Sequence, residues 1–223
     1  LQLWSPESPK LYDLTIRYGS DEIRESIGFR TIRTRGREIL LNGQPIFLKG
    51  ICIHEEYPLE GGGRVNSPEK AEKLLGFAKE LGCNCDRLAH YPHNEAMTRL
   101  ADKLGILVWS EVPVYWTINW ENPETYQNAE RQVTDMIRRD ANRASIIIWS
   151  LANETPVSEA RTRFLGISRR KPANSTEPAC SAPPWKNTPN RARRTSASCR
   201  TRSRSIWTSS PSTNTPVGMT ACP

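Results

Sequence analysis

No stretch of the 223 residues approaches the ~18 consecutive apolar residues that a membrane-spanning helix requires, and the mean hydropathy is −0.60. A membrane partner is therefore not expected. The opening "LQLWSPESPK" has neither the basic flank nor the apolar core of a secretion signal, and it has no initiator Met. The expectation is a cytoplasmic chain that begins inside a longer protein. Only 3 His and 6 Cys are present. Cys83-x-Cys85 is too tight for a usual zinc pair, and no second pair follows it, so metal-bound or disulfide-framed folds are set aside in favour of buried free thiols. His54, His90 and His93 lack ligand spacing as a metal trio, and no metal or cofactor is expected.

A further lack is confined to one end. Residues 167–223 contain no Leu, no Phe and a single acidic residue, Glu177, but 10 of the 31 Lys+Arg and 8 of the 17 Pro. Their balance is +9, whereas residues 1–166 balance at −2, so the net +7 belongs wholly to the tail. A basic tail of this composition can be a disordered segment or a phosphate-binding arm. The preferred reading is an out-of-frame translation. Shifted by one base, codon degeneracy permits 167–189 to encode LAAEARELDGTRLLSATMEKHT, an amphipathic helix followed by an apolar run. The last thirteen residues permit FNEYTGWYDGLP in the same way. A nucleic-acid partner is accordingly not expected, and the tail is read as disordered or irregular.

What remains is patterned. Residues 1–45 read as strands and turns: "KLYDLTIRYG" alternates, "EIRESIGFRTIRTRG" is extended, and "EILLNGQPIFLKG" carries an Asn42-Gly43 hairpin signal. These strands are too few to close a core. From residue 46 the pattern becomes strand–helix–strand. "IFLKGICIH" reads as a strand buried on both faces. Ser67-Pro68 opens a helix with Ala71, Leu74, Leu75, Ala78 and Leu81 on one face, ended by Gly82. "NCDRLAHYP" is a second strand, followed by a helix bearing Met97, Leu100, Ala101 and Leu104 and stopped by Gly105. "ILVWSEVP" is a third strand. Asn122-Pro123 opens a third helix with Tyr126, Ala129, Val133 and Ile137 inward, and "SIIIWSLANE" is the fourth strand. Four strands alternating with three helices imply a parallel α/β sheet. All four strands end in chemically capable residues: His54-Glu55-Glu56, Arg87 to His90, Glu111, and Asn153-Glu154. In a parallel α/β barrel that rim is where active sites lie.

Five segments, in order, carry a resemblance to glycoside hydrolase family 2, the β-galactosidases, β-glucuronidases and β-mannosidases. They are "LWSPESPKLYDLTI" with "ESIGFRTI", "LLNGQPIFLKGICIHEEYP", "LGCNCDRLAHYPH", "ADKLGILVWSEVP" and "RRDANRASIIIWSLANE". The resemblance implies the end of an immunoglobulin-like β-sandwich over 1–36, the N-terminal half of an eight-stranded (β/α)8 TIM barrel over 37–166, and a non-native basic tail over 167–223. It implies a retaining β-glycosidase that hydrolyses a terminal β-galactoside or β-glucuronide, without a cofactor and in a parent enzyme of homo-oligomeric kind.

Site residues follow from both sources. Glycoside hydrolysis needs a carboxylic acid for the leaving oxygen and a second carboxylate opposite it. A Glu at the rim of an apolar strand is expected to be partly desolvated, which favours the protonated form that can donate. The resemblance implies that Glu154 is the acid/base, that Asn153 hydrogen-bonds the sugar 2-hydroxyl, that His90 contacts the sugar, and that Arg87 supports the nucleophile. The same residues have plainer readings: Asn-Glu as a helix N-cap before Thr155-Pro156, His90 bonded to a carbonyl, Arg87 in a structural ion pair. Glu111 is a pocket-lining candidate, and Trp116 and Trp120 either stack on sugar or pack a loop. Ile53 stands where the family has an Arg, which leaves His54 open. The family's second carboxylate, on strand seven, has no counterpart in these residues. A non-catalytic sugar-binding fragment is the competing reading.

Overall fold

The computed structural model describes residues 1–58, 62–166, 206–210 and 213–221. An antiparallel hairpin, β1 (Tyr12–Tyr18) and β2 (Asp21–Ile27), comes first. A three-stranded antiparallel sheet follows: β3 (Ile32–Arg35), β4 (Glu38–Leu41) and β5 (Gln44–Ile46). The β4–β5 turn has Asn42 at φ 53° and Gly43 at φ 82°. Both central residues are thus left-handed, the type I′ geometry that Asn-Gly is suited to.

The main sheet holds four parallel strands: β6 (Gly50–Ile53), β7 (Cys85–Leu88), β8 (Leu107–Glu111) and β9 (Ile146–Ser150). Helices α1 (Pro68–Glu80), α2 (Glu95–Leu104) and α3 (Pro123–Asp140) alternate with them, and a fourth helix occupies 159–166. Each of the first three is capped as its sequence suggests. Ser67, Asn94 and Asn122 accept from backbone N–H groups of the first turn, and Gly105 closes α2 in the left-handed conformation. The core between sheet and helices is built from Leu75, Leu88, Met97, Ala101, Val108, Val133 and Ile146. A second cluster, around Trp4, Ile32, Leu107 and Ile147, joins the N-terminal segments to the sheet. The Trp4 indole donates to the Asp102 carbonyl at 2.8 Å.

An ion-pair network spans the same seam. Arg143, buried, pairs with Glu25 at 2.9 Å and Asp102 at 3.4 Å, and Arg99 pairs with Glu25 at 2.5 Å. Burial alone would raise the Glu25 carboxyl, but the two guanidiniums hold it down at about 2. Burial pushes Asp102 the other way, up to about 6.

Four sequence expectations need correction. The run "IFLKGICIH" is not one doubly buried strand: β5 belongs to the small sheet, Phe47 is exposed, and β6 shows Gly50 and Cys52 to solvent. The reason is position, since β6 is the terminal strand of the described sheet and no neighbour covers that face. Cys52 is accordingly an exposed free thiol, while Cys85 is buried and pushed up to about 12 by that burial. Leu81 leaves the α1 face because it is the C-cap, and it is exposed. Beyond 166, where no regular structure is expected, two strands are present: β10 (Ile206–Ser210) and β11 (Thr213–Ala221) form an antiparallel hairpin that pairs with β9. β9 would otherwise present unpaired N–H and C=O groups, and an extended segment satisfies them. The out-of-frame reading of 167–205 lies outside the described residues.

Candidate active site

The C-terminal ends of β7, β8 and β9 converge on one polar network. Arg87 and Glu111 are two-residue neighbours of the sheet-face residues Cys85 and Trp109, so the pleat places them together on the face away from the helices. Arg87 donates to Glu111 through Nε at 3.1 Å and Nη2 at 3.0 Å, a forked arrangement stronger than a single bond. Nη2 also donates to Asn153 Oδ1 at 2.6 Å. The guanidinium lies over the Trp109 ring, 4.6 Å from its centroid. His90 Nδ1 bonds to Glu111 Oε1, and since the partner is a carboxylate a ring proton belongs on Nδ1.

Glu111 is the hub of this network. Its side chain is 1 % exposed, yet it meets Arg87 and His90 together. A buried carboxylate is costly unless paired and fully hydrogen-bonded, and here two partners satisfy it. Asn153 is also buried, and its backbone continues the β8–β9 pairing beyond the strands: Asn153 N donates to Val114 O at 2.9 Å and Trp116 N to Asn153 O at 3.1 Å.

Glu154 follows immediately and behaves differently. It is exposed, so the desolvation expected of it is not supplied by the described residues. Its backbone is left-handed, φ 47°, as is that of Trp116, φ 56°. Non-glycine residues in this region cost roughly 1–3 kcal/mol each and persist only where surrounding contacts hold them. Trp116 Nε1 donates to Glu154 Oε2 at 3.2 Å, so the two left-handed residues face one another. Tyr115 bridges to Asn153 and its ring lies 6.0 Å from His90.

The remaining candidates separate clearly. His54 packs edge-on against His90, with ring centroids 5.4 Å apart, and reaches Tyr91 at 6.0 Å; it lines a cavity of about 650 Å³ with Glu56, Tyr57 and Arg64. His93 is buried against the Ala89 carbonyl at 3.0 Å, and burial pushes it down to about 4, which keeps it neutral. Trp120 packs on Phe164 in the core, 5.2 Å between rings, and is a structural residue. The structure thus brings Arg87, His90, Asn153 and Glu154 to one rim. What sequence reasoning missed is the binding role of Glu111 toward Arg87 and His90 and the bond between Trp116 and Glu154. Glu111 stands at a strand end and Trp116 on the loop that follows, but only cross-strand contact shows what each holds.

Comparison with known proteins agrees with this architecture. The family model "Glycosyl hydrolases family 2, TIM barrel domain" matches residues 32–171, and "Glycosyl hydrolases family 2" matches residues 1–30. A putative beta-glucuronidase of Formosa agariphila is 34% identical over 160 residues, covering 69% of this chain and 19% of the relative. A beta-galactosidase of Aeromonas hydrophila is 35% identical over 182 residues, covering 75% of this chain and 17% of the relative. Among solved structures, the family 2 beta-galacturonidase of Eisenbergiella tayi bound to galacturonate superposes with a TM-score of 0.73 at 36% identity, covering 79% of this chain and 32% of that one. The chain spans less than a third of the length of each of these three relatives. Matched over more than half its residues by the barrel model, and in order by the domain before it, the chain belongs to glycosyl hydrolase family 2.

Proposed function

We propose that these residues form the acid/base half of a retaining β-glycosidase site whose parent enzyme hydrolyses terminal β-linked uronides or galactosides. The observation that carries this reading is the convergence of Arg87, Glu111, His90 and Asn153 beside Glu154 at the ends of three parallel strands. In this scheme Glu154 protonates the glycosidic oxygen as the bond breaks, then takes a proton from the water that completes hydrolysis. Asn153, its Oδ1 fixed by Arg87, offers its amide N–H to the sugar 2-hydroxyl. His90, its Nδ1 fixed by Glu111, presents Nε2 to a sugar hydroxyl. Arg87 supplies positive charge for the nucleophile. That second carboxylate must stand ~5–5.5 Å from the first in a retaining enzyme. Glu111 does not serve, being engaged by Arg87 and His90.

The 223 residues alone are therefore expected to bind sugar weakly and to turn nothing over. Chromogenic β-glucuronide, β-galacturonide and β-galactoside should each remain uncleaved; turnover that Glu154→Gln abolishes would contradict the proposed division of the site. Titration calorimetry with glucuronic acid, galacturonic acid and galactose tests the sugar site itself. Binding that His90→Ala removes supports it, and absence of binding to all three rejects it.

A further inference from the structure

We propose that Trp116 forms the floor of the leaving-group subsite, and that the aglycone it accepts presents a flat face, either an aromatic ring or the C–H face of a second sugar. This rests on Glu154 acting as the acid/base. The acid of a glycosidase protonates the oxygen between sugar and leaving group, so a residue in contact with that carboxyl borders the aglycone side. Trp116 is that residue, its indole N–H donating to Glu154 Oε2 at 3.2 Å.

Three observations make the ring a receiving surface and not loop packing. Trp116 is 64% exposed, unlike Trp4 and Trp149, which are buried, and unlike Trp120, which packs on Phe164. An indole of this size left in solvent forfeits the burial that aromatic side chains ordinarily gain. Its orientation is fixed at both ends: the backbone N–H donates to the Asn153 carbonyl at 3.1 Å, and the Tyr115 ring meets it edge-on at 5.3 Å between centroids. Finally, its left-handed backbone, φ 56°, is a conformation that bulky residues rarely adopt, and it is met across the bond by the left-handed Glu154. A ring held rigidly, exposed, and tied to the acid suits stacking on a planar ligand, which needs no further ordering of the side chain. In the proposed scheme His90 and Asn153 address the sugar, and Trp116, in contact with the acid, borders the leaving group.

The test uses the chain itself with 15N-labelled indole and 13C-labelled His, and three ligands that share one sugar: methyl β-D-glucuronide, phenyl β-D-glucuronide and glucuronyl-β-1,4-glucose. The expected result is that the Trp116 indole signal shifts with the phenyl glycoside or the disaccharide but not with the methyl glycoside. At least one of the first two should bind about three- to tenfold tighter than the methyl glycoside, the range set by one aromatic contact. Trp116→Phe keeps that preference, and Trp116→Ala brings the ratio to one. Preference for the phenyl ligand alone assigns an aromatic aglycone, and preference for the disaccharide assigns a sugar. If the His90 signals respond to all three ligands while affinities are equal and the Trp116 signal is unmoved, the subsite is refuted and the sugar site stands. If neither responds to any ligand, both are refuted.

Discussion

Asp86 is the most consequential misfit in the core, and replacing it should make the protein more stable. The residue sits mid-strand in β7, between Ile51 on β6 and Val108 on β8, on the same face as the buried Leu88. It is 0% exposed, and neither carboxyl oxygen has a hydrogen-bond partner among the described residues. Burial pushes its carboxyl from 3.8 up to about 7. The gap corresponds to ~4 kcal/mol at ~1.36 kcal/mol per pH unit. Below pH 4 the group is protonated in both folded and unfolded chains and contributes no pH dependence. Between about 4 and 7 only the unfolded chain ionises, so stability falls as pH rises, and the loss is complete above about 7. Asp86→Val removes the ionisable group and suits a strand. One missing heavy atom leaves a void worth ~1 kcal/mol, so the net gain at pH 7 is ~3 kcal/mol. For a chain of this size that raises Tm by roughly 6–12 °C. Asp86→Asn should flatten the stability difference across pH 4–7 while keeping the side-chain shape. Urea unfolding of the three proteins at pH 4, 5.5 and 7 measures both effects. A midpoint for Asp86→Val at or below that of the parent at pH 7 would refute the reasoning, as would a parent-minus-Asn difference that does not change with pH.

Two further predictions concern the site and its supports. Glu111→Ala leaves Arg87 and His90 without their common partner and should cost ~3–5 kcal/mol in urea unfolding, the range for breaking a buried ion pair; a loss below ~1 kcal/mol would show that water replaces the carboxylate freely. Gly105→Ala forces a side chain into a left-handed residue, φ 69°, with the new Cβ 2.4 Å from the Pro6 carbonyl. It should lower stability by ~2–3 kcal/mol more than Gly36→Ala, which shares the conformation, φ 61°, but meets no atom of the described residues within 4 Å. Equal thermal shifts for the two would mean that the N-terminal segment moves aside without cost.

Local chemistry made much of this protein readable from its residues alone. Ser67-Pro68, Asn122-Pro123 and Gly105 mark helix ends because capping and left-handed closure depend on a few adjacent atoms, and the helices begin and stop where those residues stand. The alternation of apolar strands with amphipathic helices fixes a parallel sheet, and polar residues at every strand end mark the rim. Arg87, His90, Asn153 and Glu154 were all visible there. Tertiary structure alone decided what those residues do to one another. Glu111 is one strand-end acid among several until β7 and β8 bring Arg87 and His90 to it across 24 and 21 residues. Trp116 and Trp120 look alike in sequence, yet one meets Glu154 and the other Phe164. The apolar run at β6 and the carboxyl of Asp86 depart from what their residue types suggest for one reason. Burial depends on which neighbour lies across the sheet, so β6, at the edge of the described sheet, is half bare, while Asp86, in the middle, is sealed among apolar strands without a hydrogen-bond partner among the described residues.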